Sequence, residues 1–283
     1  MKILVTGVKG QLGYDVVKRL DELGIENKGV DIEDFDLTDS EAVSAYIKNY
    51  APDAVVHCAA YTAVDKAEDN AEVCEAVNRF GTRNVANACR DIDAKMIYIS
   101  TDYVFEGSGE RFYEPDDAKA PQSVYGLTKS QGEDEVTALL SKYFIVRISW
   151  VFGLNGANFV KTMMRLGAER ESLNVVADQI GSPTYTLDLA RLLCDMVVTE
   201  KYGIYHATNE GICSWCEFAQ AIMEEAGLDC KVNPITSDQY PARAKRPLNS
   251  RMSKDKLELS GFERLPEWRD ALRRYINNEL KAN

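Results

Sequence analysis

The first thirteen residues constrain the fold of this chain more than any other stretch. A short β-branched run, Ile3-Leu4-Val5-Thr6, meets Gly7, Gly10 and Gly13 at three-residue spacing, and the helical pattern Val16, Val17, Leu20, Leu23 follows at once. Strand, glycine turn, helix is the order in which such a triplet binds a dinucleotide and does not merely turn the chain. Gly7 permits the tight turn, Gly10 lets the backbone approach a pyrophosphate, and Gly13 lets helix and strand pack closely. The start of the helix, around Gln11 and Leu12, then faces the anion. The spacing is G-x-x-G-x-x-G instead of G-x-G-x-x-G.

Downstream, strand-like runs at 27–30, 54–58, 96–100 and 144–148 alternate with helical patterns near 12–23, 40–49, 70–90 and 123–140. This alternation predicts parallel βαβ units in an α/β, Rossmann-like doubly wound parallel sheet, with the ligand crevice at the carboxyl ends of its strands. Thr6-Gly7, Ala59-Ala60-Tyr61-Thr62, Ser100-Thr101-Asp102 and Ser149-Trp150 all fall just past predicted strands, so one rim collects them, with Ile99 near the end of its own strand. After about residue 150 the pattern loosens into helices near 157–170, 186–199, 214–227 and 266–280 and short strands near 173–176 and 204–206. The reading is a dinucleotide-binding domain of residues 1–152, with 184–200 returning to it, and a smaller C-terminal α/β substrate-binding lobe of residues 153–183 and 201–283. The stretch from Phe152 to Asn158 is the crossing point.

A second short run ends in Asp31, about twenty residues past the glycines, where a carboxylate binds the adenosine ribose hydroxyls; this argues for NAD, while Lys9 and Lys28 stand close enough in sequence to meet a 2′-phosphate. Asp36 and Leu37 follow in a candidate adenine-side loop, and Asp39 or Ser40 is placed to cap the next helix.

Tyr125 and Lys129 stand four residues apart and share a helix face, so the ammonium favours the phenolate and tunes the phenol for proton transfer. With the glycine turn upstream, the pair reads as a nucleotide-dependent carbonyl reductase.

A net charge of −12 argues against nucleic acid as a partner, and no apolar run is long enough to span a membrane. Met1 leads almost directly into the first strand with no signal-peptide pattern, so a cytoplasmic location is expected. Seven cysteines form no disulfide framework, and Cys213-x-x-Cys216 has no second pair, so free thiols and no metal are expected. His57 reads as a buried strand histidine. Between Pro241 and Lys256, six cations face one acid; this island is a candidate diphosphate clamp or a solvated loop, with Arg246 favoured because Pro247 stiffens the backbone beside it.

The glycine turn, Asp31, Ala59-Ala60 and Tyr125-x-x-x-Lys129 resemble the extended short-chain dehydrogenase/reductases. The stretches 59–68, Ser100 to Phe105, Ser149 to Phe152, Asp178 to Thr184 and Arg246 to Ser250 resemble, within them, the dTDP-4-dehydrorhamnose reductase family, and the similarity spans nearly the whole chain. The resemblance implies reduction of the 4-keto group of a dTDP-sugar with NADPH or NADH, by a monomer or homodimer. It implies Tyr125 as proton donor, Lys129 lowering the phenol and holding the nicotinamide ribose, and Thr101 hydrogen-bonding the same carbonyl oxygen. Asp102, Trp150, Asn158 and Arg246 are the implied sugar-nucleotide contacts, and Ala59, Ala60, Tyr61, Thr62 and Ile99 join the cofactor contacts. Some members hold magnesium at a dimer contact; the acids in question, Asp15, Asp188 and Glu279, are read here as surface residues. A 4,6-dehydratase would carry Thr-Asp-Glu where this chain has Thr101-Asp102-Tyr103. An epimerase, or a regulatory protein keeping the fold, remains as an alternative.

Overall fold

The computed structural model describes residues 1–281. Five parallel strands form in chain order: β1 (Lys2–Thr6), β2 (Glu26–Val30), β3 (Ala54–His57), β4 (Lys95–Thr101) and β5 (Tyr143–Ile148). Between them run α1 (Gln11–Glu22), α2 (Ser40–Tyr50), a helical stretch made of α3 (Val64–Ala67), α4 (Ala71–Glu75), a π-helical turn at Ala76–Gly81 and α5 (Thr82–Asp91), and then α6 (Val124–Leu139). Asp39 caps α2, its carboxylate accepting from the N–H groups of Glu41 and Ala42 at 3.0 Å.

Both faces of the sheet are covered at its centre, which is why β1, β3, β4 and β5 carry successive buried residues, while the edge strand β2 is mostly polar and partly exposed. Ile3, Val5, Val56, Ile97, Phe144 and Val146 point to one side, against Val16 and Leu20 of α1. Leu4, Val55, Met96 and Ile145 point to the other, against Val43 and Ile47 of α2, Val85 of α5 and Val136 of α6. Burying each such side chain contributes roughly 1.5–3 kcal/mol, so this two-sided packing fixes the register of the strands.

The remaining elements are β6 (Val151–Phe152), α7 (Phe159–Glu169), β7 (Ser172–Val176), β8 (Ile180–Gly181), β9 (Thr184–Tyr185), α8 (Thr186–Val197), β10 (Gly203–His206), β11 (Cys213–Ser214), α9 (Trp215–Ala226), β12 (Lys231–Ile235), α10 (Asp255–Leu259) and α11 (Trp268–Arg274). Helix α8 lays Leu189, Leu193 and Val197 into the core with α1. A second core gathers Phe152, Val160, Phe218, Ile222, Trp268 and Tyr275, with Cys213 and Cys216 packed into it as free thiols.

Two observations describe how the segment beyond residue 201 meets the large sheet. Strand β10 pairs in parallel with β5, Ile204 opposite Ile145, so the large sheet is six-stranded in the order β10-β5-β4-β3-β1-β2. Leu257, Phe262 and Leu265 also enter the sheet's core. The physical reason is continuity: after a first excursion into the second core, α8 followed by β10 is one more helix-strand unit that completes the sheet. The order reverses beside β1, which pairs with β2 on one side and β3 on the other, and that is where an open sheet leaves a crevice.

Candidate active site

The glycine turn is as tight as its spacing implies. Gly7 has φ +72°, and a Cβ on it would stand 2.7 Å from the backbone of Ala59; a Cβ on Gly13 would stand 2.4 Å from the Gly7 carbonyl oxygen. The Gly10 N–H donates to that same carbonyl at 3.0 Å. Gly10 also forms the N-cap of α1 with no side-chain cap, so the helix start is left open toward the crevice. Asp31 braces the turn from β2: its carboxylate accepts from the Lys9 N–H at 2.8 Å and from the Ile32 N–H at 2.9 Å.

From this turn a cavity of about 600 Å³ runs along the strand ends. Gly7, Gly10, Gln11, Leu12, Gly13 and Asp31 line its beginning; Ala59, Ala60, Thr62 and Ile99 its middle; Thr101, Asp102, Tyr125, Lys129 and Trp150 its far end. A neighbouring cavity of about 160 Å³ shares Gly7, Asp31, Ala59 and Ala60 with it and adds Asp36 and Leu37. Tyr61 lines neither; its backbone N–H and carbonyl are both taken by the Asn78 amide, at 2.8 and 3.1 Å.

Tyr125 and Lys129 stand in the first two turns of α6, whose N-cap, Ser123, accepts from the Gly126 N–H at 3.1 Å. Lys129 is 3% exposed, with its ammonium 4.0 Å from the centre of the Tyr98 ring. Burial pushes Tyr125 upward, with the Thr101 side chain pulling it partly back, and burial also brings Lys129 down to about 7. Desolvation is the largest contribution to both shifts.

Glu133, one turn past Lys129 on the same face, is 1% exposed and makes a two-pronged ion pair with the equally buried Arg147 of β5, both contacts 2.8 Å. The Ser100 hydroxyl donates to the same carboxylate at 2.6 Å. Helix α6 and the end of β4 are therefore referenced to one acid.

At the far end Thr101 donates to Asp102 at 2.9 Å, and Ser250 donates to the other Asp102 oxygen at 2.5 Å. Burial raises Asp102 to about 6 despite these donors. Trp150 has φ +51° and stacks on Trp215 with ring centroids 3.9 Å apart. A left-handed backbone on a bulky residue costs roughly 1–2 kcal/mol; the stack holds it there. Gly181 makes room, since a Cβ on it would lie 3.0 Å from the Trp150 indole.

Two expected substrate contacts stand elsewhere. Asn158 does not line the cavity: its carbonyl oxygen caps α7, and its NH₂ donates to Gln11, the Gly153 carbonyl and the Tyr275 hydroxyl at 2.8–3.0 Å. It reaches the site only through Gln11. Arg246 pairs with Asp65 at 2.6 Å, while Arg243 pairs with Asp69 and Lys245 donates to Gln122, so three of the island's six cations are met by acids and an amide of the first domain. Pro247 and Ser250 of the same segment do line the cavity.

The three acids read as surface residues are buried instead. Asp188 receives both Arg274 nitrogens at 2.7 and 2.9 Å and the Asn209 amide at 2.9 Å, and Asp15 accepts from Thr186 at 2.5 Å. A guanidinium thus already neutralises Asp188, and among the described residues no three His, Cys, Asp or Glu side chains gather as a metal set.

Sequence reasoning missed Trp215, Gln179 and Tyr103 as lining residues. Tyr103 follows Thr101-Asp102 directly, and its ring meets Tyr125 edge-on at 5.4 Å, so position alone pointed to it. Trp215 carried no such signal, since only the fold brings the start of α9 to Trp150.

The chain matches the family model described as "RmlD substrate binding domain" over residues 1–281. It is 40% identical to the spore coat polysaccharide biosynthesis protein SpsK of Bacillus subtilis, with 99% of each chain covered. It is 39% identical to the dTDP-4-dehydrorhamnose reductase of Aggregatibacter actinomycetemcomitans, covering 96% of this chain and 97% of that one. The crystal structure of the Bacillus anthracis dTDP-4-dehydrorhamnose reductase in complex with NADP superposes with a TM-score of 0.96 at 42% identity, covering 98% of this chain and 100% of the other.

Proposed function

The chain belongs to the RmlD substrate binding domain family, and from that premise we propose that it is an NAD(P)H-dependent reductase converting the 4-keto group of dTDP-4-dehydro-L-rhamnose to the alcohol of dTDP-L-rhamnose. The observation that carries this reading is that Thr101, Tyr125 and Lys129 stand at one end of a cavity whose other end is the glycine turn. The residues of the turn and the open start of α1 fit a pyrophosphate, and the smaller cavity beside Asp31, Asp36 and Leu37 fits an adenosine.

A reduced nicotinamide supplies hydride to the carbonyl carbon. As charge gathers on the carbonyl oxygen, Tyr125 gives it a proton, and its raised affinity for that proton keeps it in the donor form at neutral pH. Thr101, turning its hydroxyl from Asp102, donates to the same oxygen and fixes it before reaction. Lys129 holds the nicotinamide ribose and stabilises the phenolate left behind. Asp102, positioned by Ser250, takes a sugar hydroxyl, and the stacked Trp150 and Trp215 form a flat apolar wall for the sugar. Arg246, behind Pro247, is proposed to reach the diphosphate by exchanging Asp65 for it.

No helix among the described residues is long and apolar enough to cross a membrane; a cytoplasmic monomer or homodimer completes the proposal. The test is absorbance at 340 nm of NADPH, and separately NADH, with the purified protein and dTDP-4-dehydro-L-rhamnose. Sugar-dependent loss is expected; coenzyme binding without such loss would remove the assignment.

A further inference from the structure

Resting on the reading just given, we infer that Glu68 is a positioning residue for Tyr125, holding the start of α6 against the loop that lines the middle of the cavity. Glu68 lines neither cavity itself. Its carboxylate accepts from the Val124 N–H at 2.9 Å, across 56 positions of sequence. Val124 is the first residue of α6 and immediately precedes Tyr125. The N–H groups of a helix's first turn have no partner within the helix, so an acceptor from elsewhere in the fold decides where that turn sits. A carboxylate there also meets the positive end of the helix dipole.

The residue on the other side of Tyr125 is fixed as well. The Gly126 N–H donates to Ser123 at 3.1 Å, and a Cβ on Gly126 would collide with the Tyr103 carbonyl oxygen. The first turn of α6 therefore lies directly on the segment that follows Thr101 and Asp102, and Tyr125 sits between two held neighbours. Glu133 anchors the helix farther along, to Arg147 and Ser100 of the sheet. Glu68 anchors its start to a different part of the site: Ala59, Ala60, Thr62 and Val64, just ahead of it in the chain, line the cavity. One hydrogen bond thus references the phenol to the loop that passes beside the coenzyme. The neighbouring acids Asp65 and Asp69 serve the basic island instead, pairing with Arg246 and Arg243. Without Glu68 the start of α6 keeps only its own cap, and a shift of about 1 Å in a reacting group costs about 10²-fold in rate.

The experiment compares wild type, Glu68→Ala and Glu68→Gln. The glutamine keeps an oxygen able to accept from Val124, whereas the alanine has none. Amide hydrogen exchange of peptides covering the start of α6, read by mass spectrometry, follows the anchor without turnover. Coenzyme titration gives Kd, and sugar-dependent oxidation of the coenzyme gives kcat per coenzyme-binding site. Glu68→Ala is expected to exchange about tenfold faster at the start of α6 and to lose about 10–100-fold in kcat, with the coenzyme Kd within about threefold of wild type. Glu68→Gln is expected to return both exchange and kcat to within about threefold of wild type. Unchanged exchange or near-normal kcat in Glu68→Ala would overturn the inference. So would a loss in Glu68→Gln as large as in Glu68→Ala, or a coenzyme Kd weakened as much as kcat, which would mark general loosening of the site. Faster exchange in Glu68→Ala, restored in Glu68→Gln, while wild type itself oxidises no coenzyme with the sugar nucleotide, would support the anchor and remove the reductase reading, so the two fail separately.

Discussion

Glu133→Gln tests whether one buried acid ties the catalytic helix to the sheet. In the folded chain Glu133 and Arg147 are each 1% exposed, and the guanidinium makes both of its 2.8 Å contacts to that carboxylate. With a neutral amide in its place, Arg147 keeps the Pro115 carbonyl at 3.0 Å and an otherwise uncompensated charge. Removing one partner of a buried pair costs about 3–5 kcal/mol, a large part of the roughly 5–15 kcal/mol that holds a folded protein together. The midpoint of thermal unfolding should fall by on the order of 10 °C. Arg147→Met alone should cost a similar amount, but the double variant should cost less than the two singles combined by about 2 kcal/mol or more, because neither charge is then left alone. The pair holds Glu133 below the ordinary 4.5. Its contribution is therefore complete above that pH and is lost as pH falls through the folded value, so the gap between wild type and Glu133→Gln should narrow only on acidification. Denaturant melts of the four proteins at pH 7 and pH 4 measure all of this. Strict additivity of the two substitutions, or a gap that does not change with pH, would refute the reasoning.

Tyr125→Phe should leave coenzyme affinity near wild type while turnover falls by about 10²–10⁴-fold, since it removes a proton donor and little volume; steady-state rates beside a binding titration check this, and near-normal turnover would reject Tyr125 as the donor. Lys129→Met should slow turnover and weaken coenzyme binding yet raise stability at pH 7. Burial lowers Lys129 from 10.5 to about 7, so its cost to the fold is fully present below pH 7 and is relieved as pH rises toward 10.5; removing the charge should return about 2–4 kcal/mol, read from melts across that range. Gly13→Ala would place a methyl 2.4 Å from the Gly7 carbonyl oxygen; it should cost about 1–3 kcal/mol of stability and weaken coenzyme binding at least tenfold, by calorimetry.

What was legible in the sequence is what local chemistry determines. The glycine turn, the apolar strands and the Tyr125 to Lys129 spacing each follow from residues close together in the chain, and the structure carries all three. The pairing of β10 with β5 was not legible because four residues hold no record of the partner they will pair with. Asn158 was read only as a substrate contact, and its bonds to Gln11 and Tyr275, 147 and 117 positions away, are set by the fold. The same holds for Asp188, whose partner Arg274 lies 86 positions away. The direction of the Tyr125 and Lys129 shifts was hidden for a related reason: spacing reports which groups are neighbours, while desolvation depends on everything packed around them.

The return of α8 and β10 to the large sheet also sets the order in which this protein can be completed during synthesis. When residue 152 has emerged, β5 is still an unpaired edge, and the apolar face of α1 around Val16 and Leu20 still lacks Leu189, Leu193 and Val197. Unpaired strand edges and uncovered apolar faces are what nascent chains associate through. The N-terminal portion therefore cannot finish on its own, although it holds the glycine turn and the Tyr125 to Lys129 pair. A ribosome paused between residues 152 and 206 would display a nearly complete nucleotide site on a body that still needs shielding.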